Sequence, residues 1–174
     1  MGLKMTKEQA LATLGQWLGV PVAWLDTLIR GESNWNPTAT NKISGARGLI
    51  QFMPQTAKDL GYANPTAIVN KYPDIPSQLL GPVAAYFKLP GKKGPYPTKQ
   101  SLYMAVFYPA YRNVSPNTVM PSSVRKSNPG IDTVQNYVDH ADGKAITHKK
   151  NTIVFPLLIM GIIGYFAAKK LKLF

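Results

Sequence analysis

The sequence predicts a mainly α-helical domain followed by a C-terminal transmembrane helix, on three observations. Thr6 followed by Gln9 forms a capping box, in which the threonine oxygen takes a free amide of a helix start and the glutamine reaches back. Leu25, Leu28 and Ile29 recur at the three- and four-residue spacing of a helix face, whereas no stretch alternates as a half-buried strand would. Ile153 to Ala168, IVFPLLIMGIIGYFAA, carries no charge and is followed by Lys169, Lys170 and Lys172.

The first helix is expected over Lys7 to Leu18, with Gly19 closing it. Pro21 suits the first turn of a second helix, on which Glu32 falls seven residues after Leu25 and therefore on the apolar face. Asn34 to Gly48 is rich in Asn, Thr, Ser and Gly and reads as a loop. Pro54 then opens a third helix that ends near Gly61.

Further helices are expected over Ser77 to Lys88 and Gln100 to Tyr108, separated by the turn-rich, lysine-bearing LPGKKGPYPTK of Leu89 to Lys99. From Val114 onward prolines and glycines make the chain irregular, with room for a short helix at Thr133 to Val138. The expected division is a helical domain over 1–138, a linker over 139–152, and a transmembrane helix with a basic tail over 153–174.

The uncharged run would be about 24 Å long as a helix, against roughly 30 Å of hydrocarbon. Lysine snorkelling or inclusion of Thr152 and Leu171 closes that gap. A buried core helix is the alternative, but the run has no polar face and is flanked by basic residues at both ends. Lys144, Lys149 and Lys150 balance Lys169, Lys170 and Lys172, so charge assigns no orientation.

Twenty Lys and Arg against eight acids give a net charge of +12, which favours an anionic partner. The basic residues are scattered and form no nucleic-acid reader motif, so no specific nucleic-acid binding is expected. There is no cysteine, and His140 and His148 lack a third ligand; neither a metal nor another cofactor is expected. The opening MGLKMTKEQA lacks the apolar segment of a cleavable signal peptide.

Glu32 is one of two glutamates in the chain. A carboxyl on the apolar side of a helix loses solvation, which disfavours its charged form and suits it to donate a proton near neutral pH. The alternative is a helix-terminal carboxylate in solvent or paired with Arg30 or Arg47.

The string Glu32-Ser33-Asn34-Trp35-Asn36-Pro37, then Ala39, then Gly45-Ala46-x-Gly48-Leu49-x-Gln51-x-Met53-Pro54-x-Thr56-Ala57 resembles the signature of the lytic transglycosylases related to goose-type lysozyme. The resemblance covers about residues 20 to 112 and implies a lysozyme-like helical fold. It implies that Glu32 is the catalytic acid and base cutting the MurNAc to GlcNAc β-1,4 bond of peptidoglycan. The substrate's own N-acetyl group would support the developing cation, and a 1,6-anhydro sugar would leave.

Ordinary glycosidases need two carboxylates roughly 5 to 9.5 Å apart. No second acid lies near Glu32 in sequence, although folding could bring Asp59 or Asp74 close, so lysozyme-type hydrolysis stays open. The resemblance implies a substrate-binding set of Ser33 and Gln51, which would hold Glu32 or contact a sugar, Met53, which would line the saccharide cleft, and Tyr108, whose hydroxyl would bond the acid or the substrate. Ser33 and Gln51 otherwise read as capping or loop residues, Met53 as core, and Tyr108 as an aromatic core residue.

At Tyr108-Pro109-Ala110 the family's usual Tyr-Asn-Ala is changed, with Pro109 in place of the asparagine. The stretch from Leu102 through Asn128 to Asp132 looks like phage-encoded members. The expected setting is thus an enzyme held by Ile153 to Ala168 in a lipid membrane, in a virion alongside other virion proteins, opening the wall from the host periplasm as the genome enters. A catalytically silent structural protein on the same scaffold is the competing class.

Overall fold

The computed structural model describes residues 4–144, and they are predominantly helical, which fits the expected lysozyme-like helical domain. Helix α1 spans Lys7–Leu18 with both halves of the Thr6/Gln9 capping box formed, and Gly19 ends it in the left-handed region. Helix α2, Val22–Ser33, starts after Pro21 rather than on it, and Asn34 closes it at φ +49°. Gly15 lets the two helices approach: a Cβ there would lie 3.2 Å from the Val20 carbonyl and 3.3 Å from a Val22 methyl.

After the loop come α3 (Pro54–Asp59), α4 (Pro65–Lys71) and α5 (Ile75–Gln78). Asn64 caps α4 through Ala67 N and Asp74 caps α5 through Ser77 N, each followed closely by a proline compatible with a first turn. The expected helix over 77–88 is a composite: α5, a π-turn at Leu79–Val83, then α6 at Ala84–Tyr86. Pro82 lies in that π-turn and lacks the amide that a regular α-helix would use.

Thr98 caps α7, Lys99–Phe107, in another reciprocal box with Ser101. A short 3-10 turn at Pro109–Tyr111 leads to α8, Ser122–Ser127, and then to α9, Val134–Ala141, capped by Thr133 and Asn136. Helix α9 extends past the expected domain boundary at 138. Beyond its end, Asp142 pairs with Lys99 and accepts from the Tyr103 hydroxyl, so residues 139–142 pack with the domain and not as linker.

One apolar cluster joins all of this, from Ala10 and Leu14 through Leu25, Leu28 and Ile29 to Val134 and Tyr137. Burying each such side chain stabilises the fold by roughly 1.5–3 kcal/mol. Among the described residues there are isolated bridges but no strands, and no helix is long and apolar enough to cross a membrane. The expected span Ile153 to Ala168 lies outside the described residues.

Candidate active site

Glu32 sits in the last turn of α2, and the periodicity that buries Leu25, Leu28 and Ile29 carries it into the interior with 7% of its surface exposed. Burial pushes its carboxyl up from 4.5 to about 8, and a hydrogen bond from Tyr137 opposes the rise. Near neutral pH the group is therefore largely a carboxylic acid. That is the protonation state a general acid needs.

The hydroxyl that meets it comes from the far end of the domain. Tyr137 Oη donates to Glu32 Oε1 at 3.2 Å, from the middle of α9. The Tyr137 ring is fully buried and stacks on Phe107 at 4.0 Å between centroids and 11° between planes, which fixes the hydroxyl's direction. Tyr86 lies within electrostatic reach of Glu32 and donates to the Ala105 carbonyl at 2.8 Å. The acid thus projects into an aromatic wall built from α6, α7 and α9.

All eight acidic side chains of the chain fall within the described residues, and none of the other seven contributes to the shift at Glu32. Asp26 binds Arg30 and the Trp35 indole, Asp59 accepts from Gln55, and Asp74 caps α5. Asp139 and Asp142 are engaged by Lys144 and Lys99. Glu8 and Asp132 are exposed at the surface. Neither Asp59 nor Asp74 is brought to Glu32 as an electrostatic partner.

Helix α2 gives way to the loop through two consecutive left-handed residues, Asn34 at φ +49° and Trp35 at φ +62°. For a bulky residue that conformation is strained and needs outside support. Trp35 obtains it from Asp26, which accepts its indole N–H at 3.0 Å, and from Lys7, whose ammonium stands 3.8 Å from the ring centroid. Strain of this kind one turn from a buried acid fixes where the chain leaves the helix.

A second anchor, not singled out in the sequence, is Gln78. Its side chain is fully buried, accepts from Leu49 N at 3.0 Å, and donates to the carbonyls of Pro37 at 2.6 Å and Tyr72 at 2.9 Å. It clamps both ends of the loop onto α5. Gly48 makes room for it, because a Cβ there would come within 2.9 Å of Gln78 Oε1 and the backbone holds φ +84°. A lone glutamine in Ser-Gln-Leu-Leu carries no local signal for this; Gly48 is its only trace in the sequence.

The residues expected to bind substrate are placed as follows. Ser33 Oγ donates back to the Ile29 carbonyl at 3.2 Å, within α2. Gln51, at φ +51°, donates to the Gly48 carbonyl at 3.0 Å and closes the loop. Met53 is half-buried at the start of α3. Tyr108 is 3% exposed and meets Tyr111 edge to face at 4.9 Å.

Tyr137, not Tyr108, supplies the hydroxyl to the acid. Tyr137 was foreshadowed by the spacing of Val134, Tyr137, Val138 and Ala141, which marks one buried face of a helix. Its partner, 105 residues away, was not readable.

Residues 12–84, somewhat under half of the chain, match the family model of the transglycosylase SLT domain. The matched segment contains Glu32, the strained turn, the loop and Gln78, and stops before α7 and α9. No curated protein matches the chain.

Proposed function

We propose, from the SLT-domain match over residues 12–84, that the protein is a peptidoglycan lytic transglycosylase using Glu32 as its single acid and base. The observation that carries this reading is the isolated, buried Glu32 with its carboxyl raised to about 8 and no second carboxylate acting on it. A two-carboxylate glycosidase needs a partner acid within roughly 5 to 9.5 Å. A single acid fits cleavage in which the sugar's own N-acetyl group stands in for the second group.

In the proposed reaction Glu32 gives its proton to the glycosidic oxygen between MurNAc and GlcNAc, and the C1–O bond breaks as the N-acetyl oxygen supports C1. The resulting carboxylate takes the proton of the MurNAc C6 hydroxyl, whose oxygen closes on C1. The products are a free GlcNAc 4-hydroxyl and a 1,6-anhydro end, with the acid restored and no water added. Tyr137, donating to Oε1, leaves Oε2 as the oxygen that carries the proton.

Ser33, Gln51, Met53 and Tyr108 complete the proposal as its substrate-binding set. The backbone bonds of Ser33 and Gln51 support an indirect part for them, holding helix end and loop in place. The uncharged run Ile153 to Ala168 supports a membrane-held enzyme, and a virion that opens a wall during genome delivery is the setting proposed. Purified sacculi incubated with the protein test the activity: clearing by the native chain and none by Glu32→Gln is expected, and equal clearing by both would remove Glu32 from its role.

A further inference from the structure

Resting on the membrane-held reading above, we propose that the corner between α1 and α2, bearing Trp17 and Val22, lies in the interfacial layer of that membrane and turns Glu32 away from it. Helices α2 and α9 run antiparallel, as two side-chain meetings show. Glu32 near the end of α2 meets Tyr137, while Thr27, one and a half turns earlier, lies within reach of the Tyr103 hydroxyl that donates to Asp142. Following α9 toward its C-terminus therefore leads toward the start of α2.

Helix α1 returns along α2 in the opposite sense, since Lys7 at its start covers Trp35 beyond the end of α2. Asp142, just before the chain's exit at residue 144, is thus level with the middle of α2 and nearer the α1–α2 corner than Tyr137 is. Glu32 lies about 15 Å of helix rise from Val22, at the other end.

That corner places an exposed tryptophan beside other exposed apolar residues. Trp17 is 59% and Val22 42% exposed, and Pro21 and Ala23 beside them are exposed as well. Tryptophan favours the membrane–water interface because its ring is apolar and its N–H polar.

The occupant follows from where the chain goes. Residues 145–152 separate the exit from the uncharged run and span at most about 28 Å even if fully extended. Lys144 at the exit is paired with Asp139, but Lys149 and Lys150 follow in sequence, which favours an anionic lipid surface near the exit. A domain so held, with its apolar corner at the tethered end, lowers its free energy by seating that corner in the lipid. The acid is then presented to the wall and not to the bilayer.

The chain has no cysteine, so single labels can be placed without background. Full-length Trp17→Cys, Val22→Cys and Ile43→Cys, the last at a 79% exposed loop position, would carry an environment-sensitive fluorophore and be reconstituted into phosphatidylethanolamine/phosphatidylglycerol vesicles. Blue-shifted emission and loss of quenching by aqueous iodide at residues 17 and 22, but not 43, are expected. Flotation with the vesicles while all three labels stay iodide-accessible would overturn the corner's role and leave the anchor standing. Failure to float would overturn the anchor, and this inference with it.

Discussion

Tyr137 Oη stands 3.2 Å from Glu32 Oε1, joining α9 to the end of α2 across 105 residues of chain. The relationship decides two properties of the acid at once. Burial raises its pKa, and the tyrosine both moderates that rise and fixes one of the two oxygens.

Tyr137→Phe keeps the ring on Phe107 and removes only the hydroxyl. The Glu32 carboxyl loses the bond that lowers its pKa, so the basic limb of kcat/KM should move to higher pH. Activity at neutral pH should fall by roughly ten- to a hundredfold through looser alignment. Stability should change by only about 1 kcal/mol. A pH–rate profile on soluble glycan strands checks the first point, and an unmoved basic limb would contradict it.

Glu32 also makes stability depend on pH. Its folded pKa of about 8 lies above the unfolded value of 4.5, so the folded state holds the proton more tightly. The sign follows: the contribution is fully present below about pH 4.5 and is lost as pH rises through about 8. Denaturant melts at pH 5 and pH 9 should therefore show the native chain losing a few kcal/mol, on the order of the shift, that Glu32→Gln does not lose. Parallel pH dependence in the two proteins would argue that Glu32 is not buried.

Gly48→Ala places a methyl against Gln78 Oε1 at a backbone angle that only glycine adopts freely. It should cost about 1–3 kcal/mol and loosen the loop that follows the acid. Gln78→Ala should cost a similar amount, since Leu49 N loses its buried acceptor. The double variant should cost less than the sum, because both act on one contact. Urea unfolding measures all three.

Asp142→Ala tests whether the domain extends past 138. The aspartate accepts from both Lys99 and Tyr103, with its side chain mostly buried. Loss of about 1–3 kcal/mol in thermal unfolding is expected. No change would return residues 139–142 to the linker.

The helices were legible wherever the signal is local. The Thr6/Gln9 box, the Leu25, Leu28 and Ile29 face and Gly19 all did in the structure what their chemistry dictates, and the same face carried Glu32 inward. Asn64-Pro65 is a local signal too, a cap followed by a first-turn proline, and it marks the start of α4. The π-turn at Leu79–Val83 was not legible, because helical periodicity continues across it.

What sequence spacing cannot carry is meeting at a distance. Tyr137 reaching Glu32 and Gln78 clamping Pro37 and Leu49 depend on packing of segments 29 to 105 residues apart. Neither tyrosine nor glutamine advertises such a partner. The wall beside the acid therefore became visible only in three dimensions.

The central claim is cleavage of peptidoglycan by one acid with the sugar supplying the second group. Mass analysis of the fragments that the full-length protein releases from purified sacculi tests it most directly. The account predicts fragments ending in 1,6-anhydro-MurNAc, each one water lighter than its hydrolysed counterpart; reducing MurNAc ends would instead show water as the nucleophile and contradict the single-carboxylate mechanism.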